Sequence, residues 1–303
     1  MKSSVDHLVS TIEKKYPVFS PSIKRNIAAR PDLFLALAGR SLDWAVNAVG
    51  PGVIELIADG YVHFVNDVNR EQLAYCKSGA YKNKSYAEVY KSVYDNDSFM
   101  SYYHWGVFAT LFLWPHHLQL YGFFRDRFLA EYVPNSGNVL DLGSGSGIWS
   151  ILTADHLSNV TVHGLDISKT SLEVSTSLAK AAKVDDRVTF EIGDALQHLG
   201  SETYNAGISG FLMEHLECPS DLIKNFHRNL LRGAPLFITA AITAAEVDHI
   251  FEFKNEGQVV GMLENNGFRI LEMFSAAPPA DERLRFLPRS VGIIACKRLN
   301  SEW

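Results

Sequence analysis

The chain has few cysteines and no long apolar run, and both absences exclude classes of protein. Its three cysteines, Cys76, Cys218 and Cys296, are odd in number and far apart, so we expect no disulfide framework. The most apolar stretch, residues 106–114, is too short to cross a bilayer and is closed by Pro-His-His. Because the N-terminus is polar and lacks a signal-peptide core, the sequence predicts a soluble, cytoplasmic protein with no membrane partner.

Basic charge is also scarce. The chain has 28 Lys and Arg against 34 Asp and Glu, a formal net charge of −6, and no cluster of basic residues. Nucleic-acid binders gain most of their affinity from cationic contacts with phosphates, so we expect no nucleic-acid partner. The 47% of hydrophobic residues is ordinary for a globular protein of this size, which can bury a substantial core.

What the chain does contain is a glycine-rich turn. An apolar run around Asp141 leads into glycines at alternate positions, Gly143, Gly145 and Gly147, and then into a helical pattern. Glycines are needed where the backbone turns sharply and lies close to a ligand. The pattern is typical of the first strand, turn and helix of a nucleotide-binding sheet. The carboxylate of Asp141 would repel a pyrophosphate and would suit a ligand that is cationic at this end.

Two further apolar segments end in acidic residues. Residues 160–166 end at Asp166, a little over ~20 residues beyond the first glycine, where dinucleotide-binding folds place the acid that binds ribose hydroxyls. Residues 187–194 end at Asp194. From residue 138 onward strand and helix patterns alternate, which predicts a mainly parallel sheet with helices on both faces.

The ordered segments Leu-Asp-Leu-Gly-Ser-Gly-Ser-Gly, Gly-Leu-Asp-Ile-Ser and Gly-Asp-Ala resemble the class I S-adenosylmethionine-dependent methyltransferases. The resemblance covers residues 136–297 and implies a Rossmann-like, seven-stranded α/β sheet with a final hairpin. It also implies S-adenosylmethionine as the cofactor, with its methionine end at the glycine turn, its ribose at Asp166 and its adenine at Asp194. The cofactor-binding residues that it implies are Asp141, Gly143, Ser144, Gly145, Gly147, Asp166, Ile167, Asp194, Ala195 and Ser209.

Residues 1–133 have helical periodicity and almost no strand pattern. We therefore predict an all-helical module at 1–133, joined through residues 134–137 to a methyltransferase domain at 134–303. The aromatic and histidine-rich end of this module, residues 99–117, predicts a cap over an acceptor pocket, and the module is also a candidate for homodimerisation. The candidate acceptor-binding residues are Tyr102, Tyr103 and His116 in this module, and Phe211 and Met213 after the fourth strand.

The loop after the fourth strand carries a Glu-His pair, Glu214 and His215. This loop resembles the branch that contains the ubiquinone-pathway O-methyltransferases, some of which bind a divalent metal through an acid three residues before the pair. Phe211 occupies that position here. Glu217 and Cys218 could complete a ligand set, but contiguous residues on a turning loop cannot easily ligate one ion together, so we expect no metal.

Methyl transfer requires a nucleophile held in line in a site closed to water, and a base only if the nucleophile must lose a proton. His215 is the first candidate for the residue that steers or deprotonates the acceptor, because it follows the fourth strand. An equally good interpretation is that it holds its loop through a backbone hydrogen bond. His249 and His104 are the next candidates for a catalytic residue.

The acidic balance and the aromatic cap favour a small-molecule acceptor, methylated on carbon, oxygen or nitrogen in a biosynthetic pathway. The Asn/Asp-Pro-Pro-Tyr/Phe loop that protein and nucleic-acid enzymes often carry after the fourth strand is missing. The alternatives are a non-catalytic cofactor-binding protein on the same fold, or a protein or RNA methyltransferase.

Overall fold

In a computed structural model of the protein, the described residues are 3–94, 96–197, 203–279 and 284–299. Helices come first along the chain and the sheet follows. The N-terminal helices are α1 (Ser4–Lys15), α2 (Ser20–Ala29), α3 (Pro31–Val49), α4 (Val53–Ser78), α5 (Tyr86–Val89), α6 (Asp97–Leu113) and α7 (Pro115–Phe123). Two π-helical segments, Tyr90–Tyr94 and Phe124–Tyr132, complete this part. The second π-helical segment ends at Tyr132, and the first strand begins at Gly137. The division into two domains between residues 133 and 134 stays a prediction.

The second part is a seven-stranded sheet. Its strands are β1 (Gly137–Leu142), β2 (Val160–Asp166), β3 (Val188–Ile192), β4 (Ala206–Ser209), β5 (Pro235–Ile242), β6 (Phe268–Ala276) and β7 (Arg289–Lys297). The strand order is β3-β2-β1-β4-β5-β7-β6, and β7 runs antiparallel to both of its neighbours. The accompanying helices are α8 (Ile148–His156), α9 (Lys169–Ala181), α10 (Pro219–Asn229) and α11 (Glu256–Asn265). The predicted Rossmann-like α/β fold with a final hairpin is confirmed.

The side chains of β5 divide between the two faces of the sheet, since successive residues of a strand point in opposite directions. Phe237 packs against Phe124 and Phe128 of the second π-helical segment, with ring centroids 4.9 and 5.4 Å away. Leu236 and Ile238 belong to a separate buried cluster that includes residues of α10 and α11. All of β5 is buried, as a central strand covered on both faces should be. The N-terminal helices are therefore packed onto one face of the sheet.

Two of these helices touch backbone to backbone. A Cβ atom placed on Gly106 of α6 would lie 2.6 Å from the carbonyl oxygen of Gly60 of α4. A Cβ on Gly60 would likewise lie 2.6 Å from the carbonyl oxygen of Tyr102. Only glycine permits so close a crossing, and this crossing sets the position of α6, whose side chains face the site described below.

The turn between α3 and α4 separates two long helices. Among the described helices, no single one has both the length and the apolar character needed to span a membrane. α3 and α4 meet that requirement only when taken together, and they are bent by 118° relative to each other.

Gln72 of α4 ties the helical part to the loop after β5. Its side-chain nitrogen donates hydrogen bonds to the carbonyl oxygens of Thr243 (3.0 Å) and Phe286 (2.9 Å). Its oxygen accepts a hydrogen bond of 2.8 Å from the backbone N–H of Ala245. The Tyr81 hydroxyl donates to the carbonyl oxygen of Ala244 at 2.7 Å. The loop after β5 is thus fixed by residues that lie more than a hundred positions away.

Candidate functional site

A cavity of about 1140 Å³ lies at the carboxyl ends of the strands, between the sheet and the helical part. This is where ligands bind in open α/β sheets. One wall is formed by the glycine turn and by residues that follow β2 and β3. The opposite wall is formed by α6, by Trp114 and by the start of α7. Side chains from the loops after β4 and β5 close the space between the two walls.

The glycine turn and Asp166 form one rigid unit. Gly145 has a φ of +53°, and its N–H donates to Oδ2 of Asp166 at 2.8 Å. The N–H of Ser168 donates to Oδ1 of the same carboxylate at 2.9 Å. No atom of the described residues lies within 4 Å of a Cβ position on Gly145, which lines the cavity. The backbone at this point is therefore open to a ligand, and the carboxylate keeps lone pairs for hydroxyl groups.

Most of the predicted cofactor-binding residues meet at this wall. Gly143, Ser144, Gly145, Asp166, Ile167, Asp194 and Ala195 all line the cavity. Tyr86, from α5, lines it as well, and its buried hydroxyl has no hydrogen-bond partner within the described ranges. The sequence analysis missed Tyr86, because nothing in its local pattern separates it from a core tyrosine.

Three residues predicted to bind the cofactor do not line the cavity. Asp141 is fully buried, and its Oδ2 accepts a hydrogen bond of 2.6 Å from Ser150 of α8. Gly147 packs against Phe190 and Ser175, where a Cβ would have no room. Ser209 is fully buried and donates to the carbonyl oxygen of Leu142 at 2.9 Å. These residues support the turn and the strand ends, and a direct contact of any of them with the cofactor stays a prediction.

The residues predicted to bind the acceptor also form two groups, those that line the cavity and those that do not. Tyr103, His104, His116 and Phe211 line the cavity. Met213 is fully buried in the core, in a 3₁₀ turn (Met213–His215), and Tyr102 packs against His63 with a ring distance of 5.0 Å. Neither residue lines the cavity, and their predicted contact with the acceptor stays a prediction.

Phe211 adopts an unusual backbone conformation at this site. Its φ is +54°, which is uncommon for a residue with a bulky side chain. Its N–H donates to Oγ1 of Thr239 at 2.8 Å, and its ring lies 4.6 Å from that of His117. Such strain is tolerated where the surroundings fix a residue, and it is enriched at ligand sites.

Three of the histidines that line the cavity are held in the neutral form. Burial lowers the pKa of His104 to about 4 and that of His116 to about 4. Burial, together with the neighbouring His215, lowers the pKa of His249 to about 3. Neutral imidazoles can accept a proton or ligate a metal ion, but they do not provide positive charge at pH 7.

Asp248 fixes the orientation of His215. Nδ1 of His215 lies 3.4 Å from Oδ2 of Asp248 and 3.3 Å from its carbonyl oxygen. The hydroxyls of Tyr94 (3.1 Å) and Tyr103 (2.5 Å) donate to the same Oδ2. Although burial alone would raise the pKa of Asp248, His215, His249 and these hydroxyls together hold it below its ordinary value. No described residue hydrogen-bonds to Nε2 of His215, which is therefore the nitrogen available to a ligand.

His249 and Glu214 lie beside His215, although they come from two different loops. Glu214, His215 and His249 each offer a ligand atom, and these atoms all lie within 4.8 Å of one another. Both carboxylate oxygens of Glu214 are buried and lack hydrogen-bond partners in the part of the chain that the structure describes. Glu217 instead accepts a hydrogen bond of 2.7 Å from the N–H of Tyr86, and Cys218 is exposed. The third residue of this cluster, His249, is supplied by the loop after β5 and not by Glu217 or Cys218 of the same loop.

Part of the sheet region is similar to known proteins. Residues 139–233 match the model of a methyltransferase domain family. A ribosomal protein uL3 glutamine methyltransferase of Bradyrhizobium diazoefficiens is 45% identical over 67 residues, which are 22% of this chain and 21% of that protein. A ribosomal protein L11 methyltransferase of Dictyoglomus turgidum is 28% identical over 145 residues, which are 48% of this chain and 43% of that protein. The chain thus spans less than half the length of these curated relatives.

Solved structures share the fold at low sequence identity. A phosphoethanolamine N-methyltransferase 2 of Haemonchus contortus, in complex with S-adenosylmethionine, aligns with a TM-score of 0.52 at 15% identity, covering 68% of this chain and 60% of that one. The [4+2]-cyclase SpnF aligns with a TM-score of 0.51 at 15% identity, covering 62% of this chain and 84% of that one.

Proposed function

We propose that the α/β part of the chain is a class I S-adenosylmethionine-dependent methyltransferase domain with S-adenosylmethionine as its cofactor. The whole chain would methylate a small-molecule acceptor, such as a biosynthetic intermediate. The observation that carries this proposal is the shared cavity. The glycine turn and the acids after β2 and β3 lie in its wall, together with aromatic and histidine side chains of α6 and α7. Its volume of about 1140 Å³ suits a cofactor and a small acceptor bound side by side.

The chain's own residues fit this cofactor. Asp166 would accept hydrogen bonds from ribose hydroxyls, and its anchoring by the Gly145 and Ser168 amides keeps it in place for that role. Asp194 and Ala195 would contact the adenine, and the unpartnered Tyr86 hydroxyl offers a further polar contact from the helical side. When bound, S-adenosylmethionine supplies a methyl group on a positively charged sulfur, which needs no further activation.

His215 is proposed to position the nucleophilic atom of the acceptor through Nε2. Its other ring nitrogen faces Asp248, so the ring has one preferred orientation. Phe211, His116 and His104 would pack against the rest of the acceptor. The helical part covers the cavity, which supports its role as a cap that keeps water away from the reacting groups.

A protein acceptor is the main competing hypothesis, because the curated relatives are named for ribosomal proteins uL3 and L11. Those alignments reach at most 48% of this chain. Gln72, Tyr81 and Tyr103 connect the helical part to the loop after β5. Because these hydrogen bonds hold the helical part against the loop after β5, they restrict the entry of a protein segment into the cavity. They therefore favour a small-molecule acceptor.

The decisive experiment is a screen for transfer of labelled methyl groups from S-adenosylmethionine. The enzyme is offered either a pool of dialysable metabolites or purified ribosomal proteins, with an Asp166→Ala variant as the inactive control. The proposal expects label in a dialysable product. Label found only in ribosomal proteins would replace the small-molecule acceptor with a protein side chain. Cofactor binding without transfer to either pool would favour a non-catalytic protein or a different reaction.

A further inference from the structure

We propose that Glu214, His215 and His249 bind a divalent first-row transition-metal ion in the wall of the cavity. Their ligand atoms lie within 4.8 Å of one another, close enough to meet on one ion after small side-chain rotations. All three residues line the cavity. Glu214 is fully buried and His249 is 2% exposed, so the positions of both are fixed by packing. This site replaces the sequence-based expectation of no metal.

The outward nitrogens of both histidines are prepared for ligation. Nδ1 of His249 lies 2.7 Å from the carbonyl oxygen of Ala244, to which it can only donate, so Nε2 keeps its lone pair. Nδ1 of His215 faces the carboxylate of Asp248, which leaves Nε2 of that ring in the same state. Metal-ligating histidines characteristically donate their other N–H to a backbone carbonyl or to a carboxylate. Here Nδ1 of His249 faces a backbone carbonyl, and Nδ1 of His215 faces a carboxylate.

Glu214 is the observation that points to a cation. Both of its carboxylate oxygens are buried, and among residues 3–94, 96–197, 203–279 and 284–299 neither makes a hydrogen bond of good geometry, although the backbone N–H groups of Glu214 and Ala241 favour its charged form. A buried carboxylate without partners is costly, and a bound cation removes that cost. Two more carboxyls lie nearby, the fully buried one of Asp248 and the partly buried one of Glu246.

The backbone holds the two contributing loops together. The carbonyl oxygen of Glu214 accepts hydrogen bonds from the N–H groups of Ile250 (2.8 Å) and Phe251 (2.9 Å). Because these residues directly follow His249, the bonds fix the spacing between Glu214 and His249. The ligands therefore belong to one preorganised unit, although they are far apart in the sequence.

The donor set selects the class of ion. Two imidazoles and one carboxylate suit iron(II), zinc or cobalt, whereas magnesium and calcium prefer oxygen ligands. Three protein ligands on one side leave coordination positions open. If the proposed methyl transfer is correct, those positions would bind an oxygen-bearing acceptor, and His215 would position that acceptor through the ion.

The test uses the full-length protein, stripped of metal by chelation and titrated with Co²⁺ as a visible-light probe. Zn²⁺ and anaerobic Fe²⁺ are then titrated by calorimetry, with Mg²⁺ for comparison. We expect one Co²⁺, Zn²⁺ or Fe²⁺ ion per chain and much weaker binding of Mg²⁺. Glu214→Gln and His249→Gln should each weaken binding more than ~100-fold, and Asp248→Asn, which acts on His215 from outside the ligand set, by about 10- to 100-fold. His163→Gln on β2 is the matched control and should bind like the wild type.

Circular dichroism identifies any variant that fails to fold, and His215→Gln then replaces it as the ligand variant. The proposal is overturned if the wild type binds no more metal than the ligand variants do. It is equally overturned if the variants bind with wild-type affinity, which would locate the ion elsewhere. Titration with S-adenosylmethionine is measured separately on the metal-free protein. If the protein binds the metal but transfers no methyl group, only the proposed function is contradicted. If it transfers a methyl group but has no metal site, only this inference is contradicted.

Discussion

Oδ2 of Asp248 lies 3.4 Å from Nδ1 of His215, and the two residues belong to loops that follow the adjacent strands β4 and β5. The carboxylate is fully buried and also accepts hydrogen bonds from two tyrosine hydroxyls. Because Tyr94 and Tyr103 come from the helical part, one aspartate connects three separate stretches of the chain. The orientation of His215 therefore depends on how the helical part is docked.

The hydroxyl of Tyr103 is expected to stabilise the folded protein through Asp248. Tyr103→Phe removes its 2.5 Å hydrogen bond to a buried carboxylate, which should lower the free energy of unfolding by about 1.5–3 kcal/mol. Tyr94→Phe, which removes a 3.1 Å hydrogen bond, should cost less. Urea unfolding measures both, with Tyr102→Phe as the control outside the cavity. Equal stability of Tyr103→Phe and wild type would mean that the contact contributes nothing.

His215 is expected to affect transfer and not cofactor binding. His215→Ala should lower kcat by about 10²-fold or more, because the acceptor loses the group that positions it. His215→Asn should be nearly as slow, since its amide can still reach toward Asp248 but cannot replace Nε2. Steady-state kinetics measures the loss, and calorimetry should find cofactor affinity unchanged within about twofold. A wild-type rate for His215→Asn would reduce His215 to a residue that only holds its loop.

Asp166 is expected to contribute to cofactor affinity. Asp166→Ala leaves the ribose hydroxyls without their acceptor, a loss of roughly 2–4 kcal/mol, which corresponds to about a 30- to 1000-fold higher Kd. Calorimetric titration with S-adenosylmethionine measures it. Glu191→Ala on β3 is the control, since its side chain is 66% exposed. Unchanged affinity in Asp166→Ala would remove Asp166 from the cofactor site.

The crossing of α4 and α6 should tolerate no side chain. Gly106→Ala places a methyl group 2.6 Å from the Gly60 carbonyl oxygen, so the helices must separate, at a cost of about 1–3 kcal/mol. Gly39→Ala in α3 is the matched control, because no described atom lies within 4 Å of its Cβ position. That substitution should instead stabilise the protein by about 0.5–1 kcal/mol. Chemical denaturation of the two variants would contradict this account if both changed stability in the same direction.

Glu256 should make stability depend on pH in the acid range. Hydrogen bonds from Arg289 lower the pKa of Glu256 from its ordinary 4.5 to about 2. A carboxyl with a lowered pKa contributes its full stability above pH 4.5, and loses that contribution as the pH falls toward 2. Glu256→Gln should therefore cost about 1 kcal/mol at pH 7, and progressively less below pH 4.5. Urea unfolding of both proteins between pH 7 and 2 gives the difference. A constant difference would exclude titration of Glu256 as its source.

The regular part of the fold could be read from the sequence because it depends on local patterns. Residues 235–242, which are β5 in the structure, form a mostly apolar run between turn residues, a pattern that is typical of a buried strand. The positions of Gly143, Gly145 and Asp166 at strand ends follow from equally local patterns, because the turn needs glycines and the acid ends a strand.

Contacts across the cavity could not be predicted in this way. Whether a strand-end acid faces a ligand or a helix depends on packing, and Asp141 is paired with Ser150 instead of lining the cavity. The proximity of Glu214 to His249 depends on two irregular loops, which have no periodicity to read. Asp248 could have been suspected from its place beside His249 in the loop after β5. Nothing in the sequence pairs it with Tyr103, 145 residues away.

The hydrogen bonds of Gln72 affect how substrate and product enter and leave the cavity. Swinging α4 away from the sheet would break three hydrogen bonds, leaving backbone groups of Thr243, Ala245 and Phe286 without their partner. Such a motion is costly, so we expect α4 to stay docked while substrate and product exchange. We therefore expect residence time to grow with the bulk of the product. For large acceptors, departure of the methylated product and not the chemical step would then set the turnover rate.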